Sequence, residues 1–194
     1  MTERGRRTAV LVAGVVLTAF LALVVSSVSG GGDDGGSGRS ETDGAFIAGM
    51  VPHHSSSAEL AQIAAARSKR REVKRLAQVI VDLQIEQIGV LRSIHERLFG
   101  APLSTMSAGD HGGLPGVSPE MRVSPADLEA SPQVDRDFLD AMVPQHQSAI
   151  RMARQELGNG RDAELRRIAR RIVDTQSREV ATMRTLRERW YGAR

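Results

Sequence analysis

A chain of 194 residues suffices for one domain with appendages, and 41% hydrophobic against 3% aromatic residues predicts an aliphatic core. Of the formal charge of +3, Arg4, Arg6 and Arg7 against Glu3 supply +2. The near-neutral remainder, with few rings to stack on bases, excludes a nucleic-acid binder, and the lack of any cysteine excludes disulfides, thiolate metal sites, cysteine nucleophiles and a lipidated anchor.

Residues 1–7 are polar and basic, and residues 8–28 form an uncharged run. As a helix rising about 1.5 Å per residue, that run spans a hydrocarbon core of about 30 Å. Arginines on its N-terminal side predict a cytoplasmic 1–7 and a single-pass cell-membrane protein whose C-terminal domain lies outside. Ser26-Ser27-Val28-Ser29-Gly30 also offers a small-residue exit for a signal peptidase, and cleavage there would make the protein secreted. The length of the run favours the anchor. Residues 29–42, rich in Gly, Ser and Asp, read as a flexible linker.

Residues 43–192 hold an internal repeat. DGAFIAGMVPHH from Asp43 matches DRDFLDAMVPQH from Asp135, and EVKRLAQVIVDLQ from Glu72 matches ELRRIARRIVDTQ from Glu164, at one offset of 92 residues without a gap. Over 43–100 against 135–192, 19 of 58 positions are identical, which marks a duplication. Each copy reads as helix, turn, helix. The break falls near 67–71 in copy one, with Ser68 as a candidate cap, and at Gly158-Asn159-Gly160 in copy two. The second helices carry seams at 4,3 spacing, including Val73, Ala77, Ile80, Gln84, Gln87 and Leu91, and Leu165, Ala169, Ile172, Gln176, Glu179 and Met183. Two hairpins each burying one stripe predict an all-α, ferritin-like four-helix bundle alongside the N-terminal transmembrane helix. The crossover 101–134 holds five of the seven prolines and has room for a short helical turn at 125–130.

Polar residues interrupt the apolar seam at the same place in both copies: Gln84 and Gln87, Gln176 and Glu179. Met50 and His54 share a helix face, as do Met142 and His146, with His53 beside His54 and Gln145 in the matching place of copy two. Met152 and Met183 add two thioethers in copy two alone. Pro52 and Pro144 either open a helix or bend one. Imidazole with thioether suits copper, since the soft sulfur favours Cu(I) and imidazole serves either oxidation state. Zinc would want thiolates, and a di-iron centre would want Glu-x-x-His, which none of the five histidines completes. No catalytic motif appears, so no enzyme is expected.

The ordinary reading is also open: methionines on a stripe are usually core, and a buried histidine is satisfied by a facing Gln or Glu. It leaves a metal-free helical interaction module, whose polar layer fixes helix register, as the alternative. His95 and His111 are incidental on either reading.

These residues resemble the family of domain of unknown function 305, whose pattern runs Asp-x-x-Phe-x-x-x-Met-Val-Pro-His-His and, further on, Gln-x-x-Glu-Ile-x-x-Met. Copy two supplies Asp135, Phe138, Met142, Pro144, His146, Met152, Gln176, Glu179 and Met183. Copy one supplies Asp43, Phe46, Met50, Pro52, His53, His54 and Gln84. Gln145, Gln87 and Leu91 depart from the pattern, and the crossover keeps only Met106, His111 and Met121 of the Met and His residues frequent in relatives. The resemblance implies a secreted or membrane-anchored bacterial protein, some of whose relatives bind copper. The expectation is thus an extracytoplasmic protein of copper buffering or homeostasis, with Met50, His53, His54, Met142, His146, Met152, Glu179 and Met183 as metal residues. Glu179 would ligate or orient a histidine. A metal ion and, through the N-terminal helix, the membrane are the expected partners.

Overall fold

The computed structural model describes residues 40–103 and 123–192, all within the unit Gly36–Arg194. Five helices form and, among the described residues, no strand: α1 Glu41–Arg67, α2 Arg71–Phe99, α3 Pro125–Ala130, α4 Val134–Asn159 and α5 Ala163–Tyr191. None is long and apolar enough to cross a membrane. Residues 1–7, the expected 8–28 span, nearly all of the 29–42 linker, Met106, His111 and Met121 lie outside the described residues.

Helix α1 begins two residues earlier than the linker boundary allows. The Ser40 hydroxyl accepts from the Asp43 N–H at 3.1 Å while the Asp43 carboxylate accepts from the Ser40 N–H at 2.7 Å. This reciprocal box draws residues 41 and 42, assigned to the linker on sequence, into the first turn. The prolines do not open helices. Pro52 and Pro144 lie inside α1 and α4, where packing outweighs the hydrogen bond that each proline removes. Ser68 is the C-cap of α1; the N-cap of α2 is Arg70, whose side chain makes no capping bond. In copy two α4 runs through Gly158, and Asp162 caps α5 by accepting from the N–H groups of Glu164 and Leu165 at 3.0 and 2.9 Å. Both second helices end on a positive-φ glycine, Gly100 at 70° and Gly192 at 80°.

Helix α1 packs along α2, and α4 along α5; the hairpins join chiefly through α1 against α4, with α3 laid on both. The duplication shows in how the hairpins hold one another. Asp43 at the start of α1 accepts from the N–H groups of Arg161 (2.9 Å) and Asp162 (3.3 Å) in the opposite turn. Its equivalent, Asp135, accepts from the N–H of Lys69, the equivalent of Arg161, at 3.4 Å.

The core divides in two. One apolar cluster joins Leu60 and Ala64 of α1 and Val73 to Val81 of α2 with Phe138 and Met142 of α4 and Val180 and Met183 of α5. The other joins Phe46 to Val51 and Leu91 with Ala149 to Ala153 and Leu165 to Ile172. Between them in all four long helices lie buried polar residues: His53, His54 and Ser57, then Gln84 and Gln87, Gln145 and His146, Gln176 and Glu179. The bundle is two aliphatic cores separated by a polar layer at mid-height.

Candidate functional site

Every residue singled out as a metal candidate is buried: Met50, His54, Met142, His146 and Met183 are wholly inaccessible, and His53, Met152 and Glu179 nearly so. Each duplicated histidine reaches from the first helix of its hairpin to the second. His54 Nε2 lies 2.7 Å from Gln87 Oε1, and His146 Nε2 lies 2.9 Å from Glu179 Oε2, across the same separation of 33 residues. Both partners are oxygen acceptors, so in each neutral ring Nε2 carries the proton and donates it. Nδ1 is then the atom with the lone pair. In both histidines Nδ1 is buried and has no hydrogen-bond partner.

The two imidazoles feel each other. Burial pushes His54 down to about 4; the hydrogen bond to Gln87 opposes this, and the nearby His146 reinforces it. His54 is therefore neutral at ordinary pH, the form that binds a metal. The His53 ring, buried beside it, has its centroid 6.1 Å from that of His54. Ser57, one turn past His53, has its hydroxyl 3.0 Å from the His53 carbonyl and 3.3 Å from Gln145 Oε1, tying the two hairpins at this level. Sequence reading passed over Ser57, although a small polar residue four positions after a histidine on an inner face was a usable signal. Gln84 and Gln176 complete the layer, each with a buried Oε1 that has no partner.

The methionines flank this layer from both sides. Met152 lies with Met50 in one apolar cluster, and Met183 lies with Met142 in the other. The structure thus sets thioethers from different helices in each apolar cluster, on either side of the histidines, and places Met152 and Met183 in different clusters. Among the described residues no three His, Asp or Glu side chains converge as a metal-ligand group. What the arrangement offers instead is two buried imidazole Nδ1 atoms without a hydrogen-bond partner, together with thioethers. Each Nε2 already faces a carbonyl or carboxylate oxygen, the partner that the other N–H of a ligating histidine ordinarily has. By type, imidazole and thioether are donors that suit copper. His95 takes no part: its Nδ1 lies 2.9 Å from the Ala101 carbonyl at the bundle's end.

Solved structures share this architecture. The chain is similar to CopM in its Cu(I)-bound form, with a TM-score of 0.69 and 27% identity over 79% of this chain and all of the other. CopM in its Cu(II)-bound form matches with the same score and identity over 77% of this chain and 97% of the other. A domain of unknown function 305 fragment from Deinococcus radiodurans matches at 0.65 and 31% identity, over 77% and 97%. No curated protein sequence matches. The model of the family described as "Domain of unknown function (DUF305)" matches residues 43–187, both hairpins and the crossover between them, and the chain belongs to that family.

Proposed function

We propose that this is an extracytoplasmic copper-binding protein that buffers or passes on copper, by binding and without catalysis. The observation that carries this reading is the pair of buried imidazoles, His54 and His146. Each has Nε2 fixed by a hydrogen bond and Nδ1 left with an unused lone pair between two methionine-containing clusters. A buried nitrogen without a partner is uncommon in a finished core, and a ligand is one physical reason for it. His54 and His146 would bind the ion, with Met50, Met142, Met152 and Met183 as thioether donors and His53 in reserve. Glu179, already bonded to His146, would orient that ring, and Gln87 would hold His54 without adding charge. CopM, similar in fold, exists in Cu(I)-, Cu(II)- and silver-bound forms, which supports a soft-metal site in this scaffold. The uncharged run 8–28, preceded by arginines, supports export and membrane tethering.

The test is anaerobic Cu(I) loading of the full chain in detergent, followed by competition with a chromogenic chelator and a parallel Cu(II) titration. His54→Leu with His146→Leu should weaken binding of either ion by about a hundredfold or more, as expected when nitrogen ligands are lost from a buried site. Circular dichroism would check that the bundle persists. Unchanged affinity in a folded variant would leave the layer as a register device and the protein as a helical interaction module.

A further inference from the structure

Two large apolar side chains stand exposed among the described residues, Ile85 at 51% and Val90 at 36%, and both belong to α2. Gly89, in the same turn, is exposed as well. A glycine in mid-helix is less favourable than alanine, and a Cβ at Gly89 would meet nothing within 4 Å. Its φ is not positive either, since only Gly100 and Gly192 have that conformation among the described residues. Nothing inside the chain therefore calls for glycine at this place. Ile85 and Gly89 form the centre of a second seam at 4,3 spacing: Gln78, Asp82, Ile85, Gly89, Arg92 and Glu96, all exposed. It runs along the side of α2 opposite to the buried seam of Val73, Ala77, Ile80 and Leu91.

The duplication supplies an internal control. At the places of Ile85, Gly89 and Val90, copy two carries Ser177, Ala181 and Thr182. Copy one thus has two branched apolar residues where copy two has hydroxyls, and a glycine where copy two has the better helix former. A lone exposed isoleucine is ordinary. Here it comes with a charge pattern that fits itself in reverse. Laid antiparallel on its own copy, about a point midway between Ile85 and Gly89, the seam sets Ile85 on the partner's Gly89. Asp82 then meets the partner's Arg92, and Gln78 meets the partner's Glu96; each pairing occurs twice. A parallel arrangement would instead set Asp82 on Asp82 and Arg92 on Arg92. The Asp82 carboxylate is held on this side of the helix by the Gln78 amide, which donates to its Oδ1 at 2.9 Å. Neither Arg92 nor Glu96 forms an ion pair among the described residues.

We propose that this face of α2 docks a second copy of the chain, the two α2 helices lying antiparallel about a twofold axis with Ile85 of each seated over Gly89 of the other. The glycine lets the two backbones approach, and the Asp82 and Arg92 pairs flank the apolar centre. The seam from Gln78 to Glu96 is about 27 Å long at 1.5 Å per residue. One helix pair of that length covers well under the roughly 1,600 Å2 of a standard interface, so the dimer is weak and reversible. Gln84 and Gln87 lie on the inner side of α2, so docking is independent of the histidine layer and of the copper reading.

The chain has no cysteine, so introduced thiols report on single positions. Metal-free full chain carrying Asp82→Cys is mixed with full chain carrying Arg92→Cys in detergent, and disulfide-linked dimer is followed under mild oxidation. Antiparallel docking holds like positions about 15 Å apart along the axis, beyond the reach of a disulfide. The mixed pair should therefore link about tenfold faster or more than either variant alone. The copy-two equivalents, Asp174→Cys with Arg184→Cys, should show no such preference. Ile85→Ser, which installs the copy-two residue, should raise the dimer dissociation constant in sedimentation velocity about tenfold or more, because two isoleucines leave the interface. Gly89→Ala should raise the thermal midpoint of the dilute, monomeric protein and yet weaken the dimer, a pair of opposite effects that a merely structural glycine would not give. Linkage no faster in the mixed pair than in the single variants overturns the proposal. So does a dissociation constant left unchanged by Ile85→Ser or by Gly89→Ala, or a preference of the same size at Asp174 and Arg184.

Discussion

Glu156 carries the largest electrostatic anomaly outside the histidine layer. It is wholly buried in α4, and burial, then the nearby Asp43 and Asp162 carboxylates, push it up to about 8 against the opposing pull of Arg166. Asp43 moves the other way: its backbone hydrogen bonds to Ser40, Arg161 and Asp162 outweigh its burial and lower it. The pair therefore shares one proton, carried by Glu156 and offered to Asp43. Native protein holds that proton up to about pH 8, whereas the unfolded chain releases it near the ordinary 4.5. Stability contributed by Glu156 is therefore complete below about 4.5, falls as pH rises toward about 8, and is level above. The slope in that window is at most about 1.4 kcal/mol per pH unit. Glu156→Gln keeps a donor to Asp43 and cannot ionise. Buried His54, held at about 4 against an unfolded 6.5, adds stability as pH rises toward 6.5 in both proteins, so the Glu156 contribution is read as a difference. Urea midpoints of the parent should fall relative to those of the variant across the window, with an outright decline of the parent above about 6.5. Parallel pH profiles in the two proteins would mean that Glu156 is ionised in the native state.

At the scale of the elements, the two turns show how one residue's bulk dictates another's absence. A Cβ on Gly160 would run into the Glu156 carboxylate and lie 2.6 Å from the Glu156 carbonyl oxygen. The backbone there has φ −70°, so glycine is required for space and not for conformation. In copy one Ala64 stands where Glu156 stands, and the position of Gly160 is taken by Ser68, which carries its side chain without conflict. Gly160→Ala should therefore cost about 1–3 kcal/mol in the parent chain, the usual range for overpacking. In a Glu156→Ala background the same change should cost markedly less, and a double-mutant cycle in denaturant would measure the coupling. An additive cycle would trace the cost to the Glu156 carbonyl alone. This interplay was not legible in the sequence: the repeat aligns Glu156 with Ala64, but only the packing shows that the bulk at that position and the glycine four residues later belong together. The breaks themselves were legible, because Gly158-Asn159-Gly160 and the stretch 67–71 interrupt a periodic pattern, although Ser68 caps the end of α1 and not the start of α2.

For the whole molecule, the ungapped repeat and the 4,3 seams made the two hairpins legible, and the seam polar residues stand where the layer forms. What helical spacing cannot convey is register between hairpins, which is set by α1 against α4. That register brings Met152 into one cluster with Met50 of the other hairpin, while Met183 joins Met142 of its own hairpin in the second cluster, so the methionines lie on both sides of the histidines. The layer is costly to the fold. Gln84 and Gln176 each bury an Oε1 with no partner, and such an atom forfeits about 1–3 kcal/mol of solvation. Leucine is close to glutamine in volume and would join the two aliphatic cores across the layer. Gln84→Leu with Gln176→Leu should then raise the stability of the metal-free protein by about 1–4 kcal/mol, as replacement of buried polar groups by packed apolar ones often does. Neither residue is a proposed ligand, so copper affinity should be retained. Thermal and urea unfolding of metal-free parent and variant would decide the matter. A drop in stability of similar size would show that the two amides hold the hairpins in register and that the layer is a net structural contributor.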